Sequence, residues 1–198
     1  MKGCNRKCYA GILNHCYQRP ANGEVLFYSV SDYLVFFTLF CVAAQKNRMR
    51  VLALSLMPDH LHHSTIANKK DDLSSFVRDY SSKFVKEYNV LCRREGPLFQ
   101  TPFGSAPKIG DKKVRSNLIY LGNNPFERKL CKKAEEYRWT FLAYAVSSHP
   151  FSDKLVISEA RAAMRRAVAA VSAQPHSGRP LTYALLQKLF NTLENNEK

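Results

Sequence analysis

Acidic residues are scarce in this sequence. Its 198 residues include 16 Asp and Glu but 30 Lys and Arg, so the formal net charge at pH 7 is +14. An imbalance of this size favours a polyanionic partner, and nucleic acid is the leading candidate. The alternative is a basic protein whose charge serves only its solubility. The length fits one domain, and a hydrophobic content of 45% is ample for a core.

Long apolar runs and paired cysteine motifs are also missing. The most apolar run, residues 33–44, is shorter than the ~20 residues that a membrane-spanning helix needs. Cys4 and Cys8 form one C-x3-C pair, but no second pair completes a zinc site. The N-terminus has no signal-peptide pattern. We therefore expect a cytoplasmic protein with reduced thiols and no membrane association, with a small N-terminal metal site as the alternative.

The sequence does contain an alternation of strand and helix patterns. Apolar periodicity predicts strands within 9–19, 51–57, 60–67 and 103–108, and helices over 32–47, 72–89 and 112–124. Ser31 or Asp32 is the expected N-cap of the first helix and Asp111 that of the third, which should end at Pro125. This pattern predicts an α+β domain of two layers, an antiparallel sheet with helices on one face. The other face of the sheet would be free to hold a substrate.

The C-terminal quarter has a different composition from the rest. We expect a core domain over residues 1–150 and a helical C-terminal extension over 151–198. The stretch 158–173 is strongly helical in pattern, and 181–193 predicts a last helix. Three interpretations of the extension stay open: a DNA-binding accessory, an oligomerisation element, or a helical cap on the core.

Chemistry is first suggested by the histidines that follow the strand 51–57. Successive side chains of a strand point to opposite faces, so His60 and His62 share one face and His63 lies on the other. Two imidazoles in this arrangement can hold one metal ion. Ordinary histidines of a sheet are the simpler interpretation, so a metal site needs support from elsewhere in the chain.

That support comes from the third predicted helix. Tyr120 and Asn124 are four residues apart, which places them one turn apart on one helix face. A divalent cation held by the histidines and the amide oxygen would polarise a phosphate oxygen, while the phenol attacks phosphorus. The alternative is that Tyr120 simply packs and makes one hydrogen bond. Clustered lysines and arginines on both sides of Tyr120 suit contacts with phosphates.

At these residues the sequence resembles a known family. Residues 57–62, Met-Pro-Asp-His-Leu-His, resemble the HUH signature (histidine, bulky apolar residue, histidine) of single-tyrosine transposases, including the REP-associated tyrosine transposases. Residues 120–125, Tyr-Leu-Gly-Asn-Asn-Pro, resemble their tyrosine motif. Segments 17–23, 96–103 and 135–139 resemble further stretches of the family, so the likeness covers roughly residues 10–145 in the family's order.

The resemblance implies a ferredoxin-like two-layer sandwich. It implies that His60, His62 and Asn124 bind Mg²⁺ or Mn²⁺ and that Tyr120 is the nucleophile. The substrate would be single-stranded DNA beside a hairpin, cleaved to a 5′-phosphotyrosine and a free 3′-hydroxyl. The cations that we expect to contact this DNA are Arg19, Arg78, Lys83, Lys108, Lys112, Lys113, Arg115 and Arg128. A solvated helix face is the alternative for Arg78 and Lys83.

Three other functions stay open at this stage. The chain could be a catalytically silent or domesticated DNA-binding protein, or a replication-initiator-type nickase that shares the histidine and tyrosine chemistry. A zinc enzyme would need a third strong ligand near the pair, and Asp59 is the only carboxylate close to it in sequence. The monomeric or homodimeric state, and the subunit on whose histidines Tyr120 acts, also stay open.

Overall fold

A four-stranded antiparallel sheet organises the chain. The computed structural model describes residues 8–23, 25–100 and 103–146. The strands are β1 (Leu13–Gln18), β2 (Arg50–Met57), β3 (His60–Ile66) and β4 (Gly104–Lys108). Their order in the sheet is β2-β3-β1-β4, and every neighbouring pair is antiparallel. Cys4 and the predicted C-terminal extension lie outside the described residues.

The β2–β3 hairpin brings the histidine-bearing strand to the middle of the sheet. Pro58 and Asp59 form its turn, and Met57 pairs with His60. The Pro58 carbonyl accepts a hydrogen bond from the Leu26 N–H at 2.7 Å, which ties the turn to the segment before the first helix. Since β3 lies between β1 and β2, its residues 61–66 have a neighbour on both sides, and His62 is opposite Tyr17 and Ser55.

Helices cover both faces of the sheet, though unequally. They are α1 (Val30–Lys46), α2 (Lys70–Cys92), α3 (Asp111–Glu127) and α4 (Phe141–Val146), with short 3₁₀ turns at Ala21–Gly23 and Ala134–Glu136. The rings of Phe40, Phe76 and Tyr80 surround His63, so α1 and α2 pack on the face to which His63 points. The Ser64 hydroxyl donates to the Asn117 amide oxygen, which places α3 on the opposite face.

This arrangement confirms the predicted α+β fold, and the strand order is that of a ferredoxin-like sandwich. The second face is less open than expected, because α3 covers part of it. In the described part of the chain, no helix combines the length and apolar character needed to cross a bilayer.

The N-caps of α1 and α3 differ from those predicted. Ser29, rather than Ser31 or Asp32, is the N-cap of α1: its hydroxyl accepts from the Asp32 N–H, and the Asp32 carboxylate accepts from the Ser29 N–H. Such a capping box satisfies two otherwise unpaired donors. Helix α3 begins after Gly110, whose φ of +82° favours glycine, and Asp111 is its first residue.

Pro125 does not end α3, as was predicted, but lies inside it. The proline lacks only its own N–H, so the helix loses one hydrogen bond at this point. The Arg128 N–H still donates to the Asn124 carbonyl at 3.1 Å, and this bond completes the last turn. The helix therefore continues to Glu127, and Asn124 is held in regular helical geometry.

The segment around Trp139 fixes α3 against the sheet edge. The Trp139 ring is stacked on Tyr33 at a centroid distance of 4.4 Å. The backbone carbonyl of Trp139 accepts a hydrogen bond from the Leu56 N–H at 3.0 Å. Leu142 of α4 lies over Gly122, where a Cβ would approach it to 3.1 Å. Helix α3 is thus held between the sheet and α4.

Candidate active site

Two histidines of β3 form the floor of the candidate site. His60 and His62 lie on the face covered by α3, as strand alternation predicts, and both are buried. Their ring centroids are 5.0 Å apart with the planes nearly perpendicular. His63 lies on the opposite face, where its Nε2 is 3.1 Å from the Tyr80 hydroxyl. The structure therefore separates the pair from the third histidine.

His60 is oriented by a carboxylate at one nitrogen and an amide at the other. Its Nδ1 is 2.6 Å from Asp59 Oδ1, and its Nε2 is 3.5 Å from the Asn124 amide nitrogen. Burial lowers the pKa of His60, and the hydrogen bond and charge of Asp59 oppose that shift only in part. With a proton on Nδ1 shared with Asp59, Nε2 keeps its lone pair. A carboxylate behind a histidine is the usual outer support of a metal ligand.

His62 is oriented by a second histidine that the sequence motifs did not indicate. His62 Nδ1 is 3.0 Å from Nε2 of His15 on β1. Burial, together with neighbouring positive charges, lowers the pKa of His62 to about 3 and that of His15 to about 4. Both rings are neutral near pH 7. Among the described residues His62 Nε2 has no hydrogen-bond partner, although it is buried.

A signal for His15 does exist in the sequence. His15, Tyr17 and Arg19 alternate along β1 and its extension, so all three belong on one face of the sheet. None of these three residues by itself indicates a place beside His60 and His62, so the predicted site did not include His15. Only the pairing of β1 with β3 shows that this face is the one that carries His62.

Helix α3 supplies the remaining polar groups. The Tyr120 ring centroid is 5.6 Å from that of His62 and 6.0 Å from that of His15. Tyr120 is 42% exposed, whereas Asn117 and Asn124, one turn before and one turn after it, are buried against the sheet. The four predicted residues His60, His62, Tyr120 and Asn124 therefore meet within one chain. Tyr120 lies beside the histidines of its own subunit.

The donor set fits a divalent cation that also takes oxygen ligands from a substrate. In the part of the chain that the structure describes, His62 Nε2 has no hydrogen-bond partner and His60 Nε2 lies 3.5 Å from the Asn124 amide nitrogen. The Asn124 amide can turn over to present its oxygen instead. Within the described ranges, no three His, Cys, Asp or Glu side chains are grouped so that they could hold an ion by themselves. A closed zinc site is thus not formed here, and Asp59 is engaged behind His60.

A groove of about 850 Å³ opens beside these residues. This basic groove is lined by His15, Tyr17, Arg19, His62, Pro107, Lys108, Lys112, Lys113, Ser116, Asn117 and Tyr120. Four of the eight cations predicted to contact DNA are among them. Such a concave, positively charged surface suits a phosphate backbone.

The other four predicted cations lie elsewhere. Arg128, after the end of α3, is close enough to the histidines to lower the pKa values of His60 and His62. Arg115 is an exposed residue of α3 outside the groove lining. Arg78 and Lys83 belong to α2, on the far side of the sheet from the basic groove. A role for Arg78 and Lys83 in the same DNA contact therefore has no support from their position.

Comparison with known proteins identifies one informative likeness. No family model and no curated protein matches the sequence. Among solved structures, the chain is similar to a REP-associated tyrosine transposase bound to a REP hairpin. The two sequences are 18% identical, the match covers 74% of this chain and 86% of that chain, and the TM-score is 0.63. A protein from Deinococcus radiodurans R1, provisionally described as a transposase, matches at 18% identity over 63% of this chain and 97% of that chain, with a TM-score of 0.41. The first likeness confirms the predicted fold.

Proposed function

We propose that this chain is a single-tyrosine HUH transposase, which cleaves and rejoins single-stranded DNA through a 5′-phosphotyrosine intermediate. The observation that carries the proposal is the meeting, within one chain, of Tyr120 with His62 and of Asn124 with His60, beside the basic groove. The similar structure that holds a REP hairpin supports hairpin DNA as the substrate.

In this proposal His60 Nε2, His62 Nε2 and the Asn124 amide oxygen hold a divalent cation, Mg²⁺ or Mn²⁺. When bound, the cation would polarise a non-bridging phosphate oxygen and balance negative charge on it. Asp59 and His15 each hold the Nδ1 atom of one imidazole, which leaves the two Nε2 atoms as the available ligands. The cations of the basic groove would position the strand on either side of the scissile phosphate.

Tyr120 then acts as the nucleophile. Its phenol loses a proton and its oxygen forms a bond to phosphorus, while the bond from phosphorus to the 3′-oxygen breaks and that oxygen takes up a proton. The 5′-phosphate remains attached to Tyr120. Because one phosphodiester replaces another, a second 3′-hydroxyl can reverse the step and rejoin a strand without ATP. The partial exposure of Tyr120 leaves its hydroxyl accessible to such a strand.

Replacement of the nucleophile tests the proposal. With a labelled DNA hairpin carrying a single-stranded tail and Mn²⁺, the native protein should form a covalent complex that survives denaturing electrophoresis. Tyr120→Phe should abolish that complex and leave binding largely intact, because only the hydroxyl is removed. Tyr28→Phe is the matched control, since Tyr28 is 68% exposed and contacts Tyr88 of α2, away from the groove.

Two outcomes would contradict the assignment. Undiminished covalent capture by Tyr120→Phe would remove Tyr120 from the chemistry. Binding of the hairpin without nicking by the native protein, in Mn²⁺ as in EDTA, would indicate instead a catalytically silent DNA-binding protein.

A further inference from the structure

We propose that Tyr17 is a stacking platform for one unpaired nucleobase of the substrate strand. The inference rests on the proposed function, because it specifies how the same groove would hold single-stranded DNA. It adds a base-binding site to a groove whose other assigned groups act on phosphate.

The exposure of Tyr17 is the first observation. Tyr17 is the fifth of the six residues of β1, and its side chain is 45% exposed and lines the basic groove. Its ring centroid is 6.2 Å from those of His15 and His62, so it borders the candidate site directly. An aromatic ring carries a large apolar surface, and burial of that surface is a main source of binding energy at interfaces. Here the surface is left open in a concave polar site.

The support under the ring is the second observation. Tyr17 is paired with Gly104 of β4, and a Cβ placed on Gly104 would lie 2.0 Å from the Tyr17 Cζ and 2.3 and 2.4 Å from the two Cε atoms. These are the distances of a point above the phenolic end of the ring rather than at its edge. One face of the ring therefore rests on the Gly104 backbone, and only glycine permits this approach. The opposite face is left for a ligand.

The charges around the ring are the third observation. Arg19, Lys108, Lys112 and Lys113 line the same groove. Proteins that bind single-stranded nucleic acid combine a basic groove, which follows the phosphates, with aromatic side chains on which bases stack. Because Tyr17 and Tyr120 both border His62, the stacked base would belong to a nucleotide near the scissile phosphate.

A purely structural role is the competing explanation. An aromatic residue that covers a glycine on the neighbouring strand can stabilise a sheet without any ligand. The test must therefore ask whether Tyr17 interacts with a base, and not only whether its loss weakens binding. Binding of each variant to a DNA tail with bases and to a tail without bases distinguishes the two roles.

The experiment measures equilibrium binding in EDTA, so that it does not depend on cleavage. The probes are a DNA hairpin with an oligothymidylate tail and the same hairpin with an abasic tail. The native protein should prefer the thymidylate tail. Tyr17→Ala should weaken binding to that tail about 5- to 100-fold, the effect of removing one base–aromatic stack, and should bind the abasic tail like the native protein. Tyr17→Phe should behave as native, since it keeps the ring.

Some binding results would contradict the stacking role of Tyr17. If Tyr17→Ala loses the same affinity for both tails, or none for either, the ring does not stack on a base and the proposal is wrong. If Tyr17→Phe loses affinity for the thymidylate tail as Tyr17→Ala does, the hydroxyl rather than the ring face binds the strand and the platform role is wrong. If the native protein prefers the thymidylate tail and Tyr17→Ala removes that preference, but the native protein does not nick DNA in Mn²⁺, the proposed catalysis is overturned and the platform is supported.

Discussion

At the residue scale, the orientation of the His62 ring depends on the hydrogen bond between its Nδ1 and His15 Nε2. A histidine that binds a metal through Nε2 needs a partner at Nδ1 to fix its tautomer and its ring orientation. For His60 that partner is Asp59, and for His62 it is the neutral imidazole of His15. The two supports differ in charge: the carboxylate can stabilise a positive charge on its histidine, whereas His15 only orients.

We predict that His15→Ala lowers the affinity of the protein for Mn²⁺ by roughly 10–100-fold, the usual effect of removing such a support. Isothermal titration calorimetry measures the affinity, and ¹⁵N shifts of the His62 ring in the metal-free protein report its tautomer. Lys112→Ala is the control, because it removes another residue of the groove lining that is not hydrogen-bonded to His62 Nδ1. Unchanged Mn²⁺ affinity together with unchanged His62 shifts would show that His15 does not orient His62.

At the scale of elements, His63, which is not part of the candidate site, joins β3 to α2. His63 Nε2 is 3.1 Å from the Tyr80 hydroxyl, which itself donates to Gln18 Oε1 of β1 at 2.8 Å. Burial lowers the pKa of His63 to about 3, so the ring is neutral at pH 7 and can donate one hydrogen bond to Tyr80. These two hydrogen bonds link β3, α2 and β1 through buried polar groups.

We predict that Tyr80→Phe destabilises the fold by about 1–3 kcal/mol, because it leaves a buried imidazole without its partner. Urea unfolding measures the change in the free energy of unfolding. Tyr28→Phe removes an exposed hydroxyl instead and should leave this free energy unchanged. Equal stability of Tyr80→Phe and the native protein would mean that another group satisfies His63 once the hydroxyl is gone.

Helix α3 illustrates what could be predicted for an element and what could not. Its existence and the shared face of Tyr120 and Asn124 follow from local sequence, because the helical repeat fixes both. Its ends were predicted less well, since Gly110 as the N-cap and the continuation past Pro125 depend on backbone geometry that residue types alone do not specify. Its position over the histidine face depends on contacts such as Ser64 with Asn117.

For the whole molecule, the formal net charge is +14, and among the described residues cations lie on both sides of the sheet. Lys112 and Lys113 line the basic groove, whereas Arg78 and Lys86 lie on α2 behind the sheet. Only cations that touch phosphates release condensed counterions when DNA binds. The salt dependence of binding therefore distinguishes the two sets, although each contributes the same formal charge.

We predict that the double variant Lys112→Ala/Lys113→Ala reduces the slope of log K against log salt concentration by about 1.4, or about 0.7 for each single-strand phosphate contact. The matched variant Arg78→Ala/Lys86→Ala, with the same loss of charge, should leave the slope unchanged. Titrations of a single-stranded oligonucleotide at several salt concentrations measure both slopes. Equal reductions in the two variants would place the DNA on more than one face of the protein.

The sequence by itself determined the features that depend on local backbone geometry. Strand alternation put His60 and His62 on one face and His63 on the other, and the helical repeat put Asn124 one turn after Tyr120.

The tertiary structure alone decided which residues from distant parts of the chain meet. His15 and His62 are 47 positions apart, and strand pairing brings them together. Strand pairing also seats Tyr17 on Gly104, and the packing of α3 selects the cations that line the groove. Register and packing depend on the whole core, so they cannot be read from any one segment.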